Sequence, residues 1–125
     1  MNYQKIYNQI VLRAKEEVTS NVRKKNNGVY YESHHIQPKC LGGTNEKDNL
    51  VLLTAREHFI CHWLLVRMHP GNNKLIHAFW KMCNSKNAYQ KERYIPGSRV
   101  YAEARELRGK ALQIQFKGKK RTPLS

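Results

Sequence analysis

Four of the six histidines fall between Glu32 and His62, in two pairs of different spacing. His58 and His62 are four residues apart in a segment that reads as helix. Side chains at i and i+4 share one helical face, so these two imidazoles can converge on a single ion. The third ligand must come from elsewhere in the chain. His34 and His35 stand side by side in a β-prone run that ends at Pro38. Neighbours on a strand point to opposite faces, so unless the backbone is bent there only one of the two can join that ion, and the other is free to do chemistry.

The elements that must position these residues are legible nearby. Leu41-Gly42-Gly43-Thr44-Asn45 is a glycine turn, and Asn49-Leu50-Val51-Leu52-Leu53 is a short apolar run suited to a strand. Thr54 followed by Glu57 is a capping box, which starts the helix carrying His58 and His62. The expected order is a hairpin over about Tyr31 to Leu53, then a helix from Thr54 to about Met68.

The residues H-H-I-x-P, L-G-G, N-L-V-x-L and E-H-x-x-x-H, between Tyr31 and Met68, resemble the HNH nuclease motif, also called the ββα-metal or His-Me finger motif. The resemblance implies an α+β fold with a ββα-metal core, to which the rest of the chain adds flanking helices and a basic C-terminal tail. It implies that His34, His58 and His62 hold one divalent ion, and that His35 is the general base that activates water. Asn49 matches the middle asparagine of the motif, which orients the base or holds the hairpin loop. The wider wording, Y-x-x-I-Y near the start and L-T-A-R-E-H-F-I-C-H, is similar to phage-encoded HNH homing endonucleases. Mg²⁺ or Mn²⁺ is the expected working ion, while imidazole ligands also favour Zn²⁺ or Ni²⁺.

Composition points the same way. The chain has 125 residues, enough for one compact domain, and 23 Lys and Arg against nine Asp and Glu give a net charge of +14. Such an excess predicts a polyanionic partner, and the resemblance implies that it is double-stranded DNA. Three cysteines without a C-x-x-C pair support neither a disulfide framework nor a cysteine zinc site. No apolar run approaches the roughly 18 residues of a membrane span, and no signal-peptide pattern opens the chain, so a cytoplasmic setting without membrane is expected.

Along the chain, Tyr3, Ile6, Tyr7, Ile10, Val11, Ala14 and Val18 follow helical spacing, which predicts an amphipathic helix over Asn2 to Lys25 that packs on the histidine module. Arg23, Lys24 and Lys25 end it and offer cations to phosphate. Glu32, the carboxylate nearest the adjacent histidines, either orients an imidazole or is a solvated strand residue. Trp63 to Met68 continue the second helix, with Trp63 read as core, until His69-Pro70-Gly71 stops it. A further helix follows from Asn72 to about Ser85, with His69 and His77 read as surface or packing residues. Lys86 to Gly97 looks like a boundary. Ser98 to Phe116 can form a helix interrupted by Gly109, and Lys117 to Pro123 is a flexible cationic run. That run resembles the start of a small DNA-binding repeat and equally a disordered tail. The division expected is 1–28 for the N-terminal helix, 29–86 for the nuclease core with its following helix, and 87–125 for the basic arm and tail.

Phosphate contacts are expected from Lys39, Arg56, Lys117, Lys119, Lys120 and Arg121, with Arg56 placed to clamp the scissile phosphate or simply to cover the helix surface. The function implied is a metal-dependent DNA endonuclease, nicking one strand as a monomer or breaking both as a dimer. The alternatives are a ribonuclease or nonspecific nuclease using the same site, and a non-catalytic nucleic-acid binder with structural zinc. Three ligands plus one free histidine fit an open catalytic site better than a closed four-ligand one.

Overall fold

The computed structural model describes residues 1–84 and 97–118, with side chains as far as 113. Within them the chain forms four helices and one small sheet, an α+β arrangement. Helix α1 spans Tyr3–Thr19, strand β1 Glu32–His35, strand β2 Leu50–Leu53, and helix α2 Ala55–Met68. Helices α3, Asn73–Asn84, and α4, Ser98–Gly118, follow.

Helix α1 begins where the Asn2 side chain accepts from the Lys5 backbone N–H at 3.0 Å, and it buries Tyr7, Val11 and Ala14. It stops at Thr19, short of the expected Lys25. Asn21 adopts a left-handed conformation (φ 65°), and the chain folds back so that the N–H groups of Val22 and Arg23 both donate to the Glu17 carbonyl. The reversal carries Arg23 inward. It is only 5% exposed, donates to the Glu17 carboxylate and the Leu52 carbonyl, and forks onto both oxygens of Glu57 at 2.5 and 3.0 Å. Arg23 therefore ties α1 to β2 and α2 and has no free face for phosphate, which corrects the sequence expectation.

Strands β1 and β2 pair antiparallel with Glu32 opposite Leu53 and His35 opposite Leu50. The pleat puts Glu32 and His34 inside and leaves Ser33 exposed and His35 half-exposed, while Val51 and Leu53 enter the core from β2. The long connection is fastened at its neck. The Asn49 amide accepts from the Gln37 N–H at 2.8 Å and donates to the carbonyls of Gln37 and Thr44. Gly43 lies so close to the Gln37 carbonyl that a Cβ there would overlap it, at 1.7 Å.

The Thr54–Glu57 capping box opens α2 as the sequence predicts, and α2 buries Phe59, Cys61, Leu64, Leu65 and Val66. Helix α3 is capped by Asn72 and packs on α2 through Leu75, Ile76, Phe79 and Met82. Each such burial contributes about 1.5–3 kcal/mol, which is why this helix needs little intrinsic propensity. Helix α4 packs on α3 and is anchored to α2 where Glu103 accepts from Arg67 and from the Trp63 indole. Contrary to the sequence expectation, Gly109 does not interrupt it and the helix runs through Lys117 and Gly118. One interior glycine costs only about 1 kcal/mol, and burial of Ala104 and Ala111 on either side of it offsets that. The expected boundary segment lies outside the described residues, apart from Gly97. Among the described residues no helix is long and apolar enough to cross a membrane.

Candidate metal centre

Strand alternation and helical spacing do their separate work at one point. β1 delivers His34 to the inside, α2 delivers His58 and His62 on one face, and the three imidazole centroids stand 4.9 to 5.3 Å apart. One ring nitrogen from each lies within 4.8 Å of the others. Three nitrogens about 2.1 Å from a common ion are separated by roughly 3.0–3.4 Å in octahedral or tetrahedral geometry, so small side-chain rotations suffice to close the set.

The surrounding hydrogen bonds fix which nitrogen each ring presents. The Tyr7 hydroxyl donates its only proton to the Ile36 carbonyl at 2.6 Å and sits 2.8 Å from His34 Nε2. Its oxygen must therefore accept from an Nε2–H, which puts the His34 lone pair on Nδ1. That Nδ1 is buried and has no hydrogen-bond partner. A buried acceptor left over beside two further imidazoles is able to ligate a metal ion. His58 is fixed from the other side: its Nδ1 donates to Glu32 Oε1 at 2.7 Å, leaving the lone pair on Nε2. Tyr30 donates to the second Glu32 oxygen at 2.5 Å. Glu32 is thus the orienting carboxylate of the two readings open to it, an arrangement that holds the His58 ring and raises its basicity. Burial, and after it the imidazoles of His62, His58 and His35, push His34 down to about 2, so the ring is neutral and able to ligate at any ordinary pH.

His35 faces the other way, and its Nε2 lies 2.8 Å from Asn45 Oδ1. It shares with the three histidines an open cleft of about 390 Å³, whose rim carries Lys39 and Lys74. Lys39 is exposed there, as a phosphate contact needs to be. Asn49 bonds to the hairpin loop, and it is Asn45 that meets His35. Arg56 is exposed on the first turn of α2 and is not among the cleft-lining residues. The side chain of Lys117 lies outside the described set, as do Lys119, Lys120 and Arg121 altogether. His69 and His77 stand apart from the cluster. Burial pushes the Cys61 thiol up to about 12, with the charge of Glu57 adding to it, which makes it a packing residue.

Sequence reasoning missed Tyr7, Asn45 and Lys74. Tyr7 left a usable signal, since a phenol on a core-facing stripe must find a polar partner when buried. Asn45 was one polar residue among several in a turn, and Lys74 belongs to a separate helix.

The fold and the cluster define an α+β protein with a buried three-histidine group fit for a metal ion, set where a hairpin meets a helix. Probable mobile endonuclease E of Enterobacteria phage T4 is 45% identical over 107 residues, covering 86% of this chain and 70% of the relative. Probable mobile endonuclease D of the same phage is 48% identical over 84 residues, 67% of this chain, though the match spans only 31% of that longer protein. The chain belongs to the family of these phage mobile endonucleases. No protein-family model matches it, and no solved structure does.

Proposed function

We propose that the chain is a metal-dependent HNH endonuclease of the homing type that hydrolyses phosphodiester bonds of double-stranded DNA in the cytoplasm of the phage's host. The observation that carries this reading is the division of labour at β1. His34 turns inward to the His58–His62 pair while the adjacent His35 opens onto the same lysine-rimmed cleft. Kinship with phage mobile endonucleases supports the reaction class.

His34 Nδ1 and His58 Nε2, with a nitrogen of His62, would hold one divalent ion, Mg²⁺ or Mn²⁺ in function with Zn²⁺ or Ni²⁺ also accommodated. When bound, that ion supplies Lewis-acid stabilisation of the charge developing on the phosphate and on the departing 3′ oxygen. Asn45 accepts from His35 Nε2–H, which leaves Nδ1 as the basic nitrogen. His35 Nδ1 takes a proton from the attacking water, the new P–O bond forms as the P–O3′ bond breaks, and the 3′ oxygen takes its proton from solvent. Lys39 and Lys74 draw the backbone into the cleft. Asn49 serves by holding the hairpin loop that carries both Asn45 and the end of β1. With one site per chain, a monomer nicks one strand and a dimer breaks both.

Supercoiled plasmid and a folded RNA, each incubated with the protein and Mg²⁺, Mn²⁺ or Zn²⁺, provide the test. Nicking or linearisation of plasmid that disappears in His35→Ala is expected. Cleavage of the RNA alone would establish the ribonuclease alternative, and tight zinc binding without cleavage of either would establish the non-catalytic one.

A further inference from the structure

Lys74 lines two cavities. One is the histidine cleft, and the other is a groove of about 520 Å³ between α3 and α4. The polar wall of that groove is Asn73, Lys74, His77 and Arg108, with the buried Ile76 and Ala111 beneath, and no acidic residue lines it. Among the described residues neither Lys74 nor Arg108 has a carboxylate partner, although Lys110 and Arg67 on or against the same helix are paired with Glu106 and Glu103.

Arg108 is also held in place. Its guanidinium lies over the Trp80 ring at 5.3 Å, and Trp80 is packed in turn against Tyr101. Its Nε is buried with no hydrogen-bond partner. An arginine stacked on an aromatic face keeps its planar fork pre-organised, so little freedom is lost when the fork binds a phosphate. Asn73, in the first turn of α3, lines the groove, and the positive end of a helix dipole favours an anion there.

We infer that this groove is a second phosphate subsite, in which Lys74, His77 and Arg108 hold the nucleic-acid backbone beside the segment that enters the histidine cleft. The inference rests on the reading of that cleft as the place of cleavage, and Lys74 is the joint between the two. Contacts of this kind set the position of the strand and carry no sequence information themselves.

The test measures affinity of the full chain for a duplex in EDTA over a salt series. Lys74→Gln and Arg108→Gln should each lower the slope of log affinity against log salt by about 0.9, and the double variant by about 1.8. Lys5→Gln, an exposed α1 lysine that lines neither cavity, should leave it unchanged. An unaltered slope in the folded double variant overturns the inference, as does an equal fall in Lys5→Gln. Should Arg108→Gln fail to fold, Lys74→Gln combined with His77→Glu, both at exposed positions, reads the same quantity. Plasmid cleavage by the wild-type chain, run alongside, separates the two readings. A chain that cuts nothing overturns the cleavage site and this inference with it, while a cutting chain whose slope ignores Arg108, which lines the groove and not the cleft, overturns the subsite alone.

Discussion

Tyr7 and His34 are 27 residues apart in the chain, yet the phenol oxygen of one lies 2.8 Å from Nε2 of the other, and the phenol proton is already spent on the Ile36 carbonyl. The N-terminal helix thereby sets the tautomer of a ring in the three-histidine cluster. Tyr7→Phe keeps the packing and removes the acceptor, leaving a buried N–H unpaired at a cost of about 1–3 kcal/mol. Zn²⁺ affinity, read by competition with a chromophoric chelator, should fall about 10- to 100-fold. Unchanged affinity would mean that the phenol does not support the ligand.

The adjacent histidines should separate cleanly. His35→Ala should bind Zn²⁺ as the wild type does while losing about 10²- to 10⁴-fold in single-turnover cleavage, whereas His58→Ala and His62→Ala should lose the metal itself. If His35→Ala lost the ion as well, the two roles on β1 would have to be exchanged.

Asn45→Ala removes the acceptor at His35 Nε2 and nothing from the three-histidine cluster. Cleavage at saturating metal should drop by up to about 100-fold, less than in His35→Ala, because the base remains and only its orientation is lost. Zn²⁺ affinity should be unaltered, and a fall in that affinity would instead place Asn45 in support of the cluster.

Acid should destabilise the metal-free protein in a defined window. His34 is pushed down to about 2 in the fold by burial and its neighbouring imidazoles, but titrates near about 6.5 in the unfolded chain. Between those values the unfolded chain binds a proton that the folded chain refuses. Stability is therefore intact above about pH 6.5 and falls below it, by at most about 1.4 kcal/mol per pH unit from this group. Urea midpoints at about pH 7.5 and about pH 5 measure the effect, and His34→Gln should flatten it.

Arg23→Ala leaves the Glu57 carboxylate and the Leu52 carbonyl without their buried donor. A loss of roughly 3 kcal/mol is expected, the lower end for a buried pair because Glu57 remains partly exposed. The melting temperature should fall by on the order of 10 °C. A shift of only a degree or two would mean that solvent takes over the role of the guanidinium.

Local rules carried the sequence reading a long way. Period-two alternation separated His34 from His35, the i, i+4 rule paired His58 with His62, and the Thr54–Glu57 box located the start of α2, each within a few residues of the others. What was hidden depends on residues distant in sequence. No local pattern says that Tyr7 meets His34, that Arg23 reaches Glu57 across 34 positions, or that Lys74 closes a cleft begun at Lys39. The end of α1 departs from the local pattern for the same reason, since the helix stops at Thr19 and Arg23 reaches partners that come later in the chain.

The hairpin also carries a hazard of its own making. Two identical side chains stand next to each other on β1, and a one-residue slip of the register would turn every side chain to the opposite face. His35 would then enter the cluster and His34 would turn outward, giving a protein with three converging imidazoles and an outward one without the Asn45 acceptor. Such a molecule could take up metal and yet be inert, an error invisible to any assay of metal content. The clasp of Asn49 on Gln37 and Thr44, and the glycine pressed against the Gln37 carbonyl, act against it by allowing one length of loop and hence one alignment. Seen this way, the neck of the hairpin is a proofreading device, and the fraction of correctly aligned molecules is a quantity that substitutions there would change without touching a single histidine.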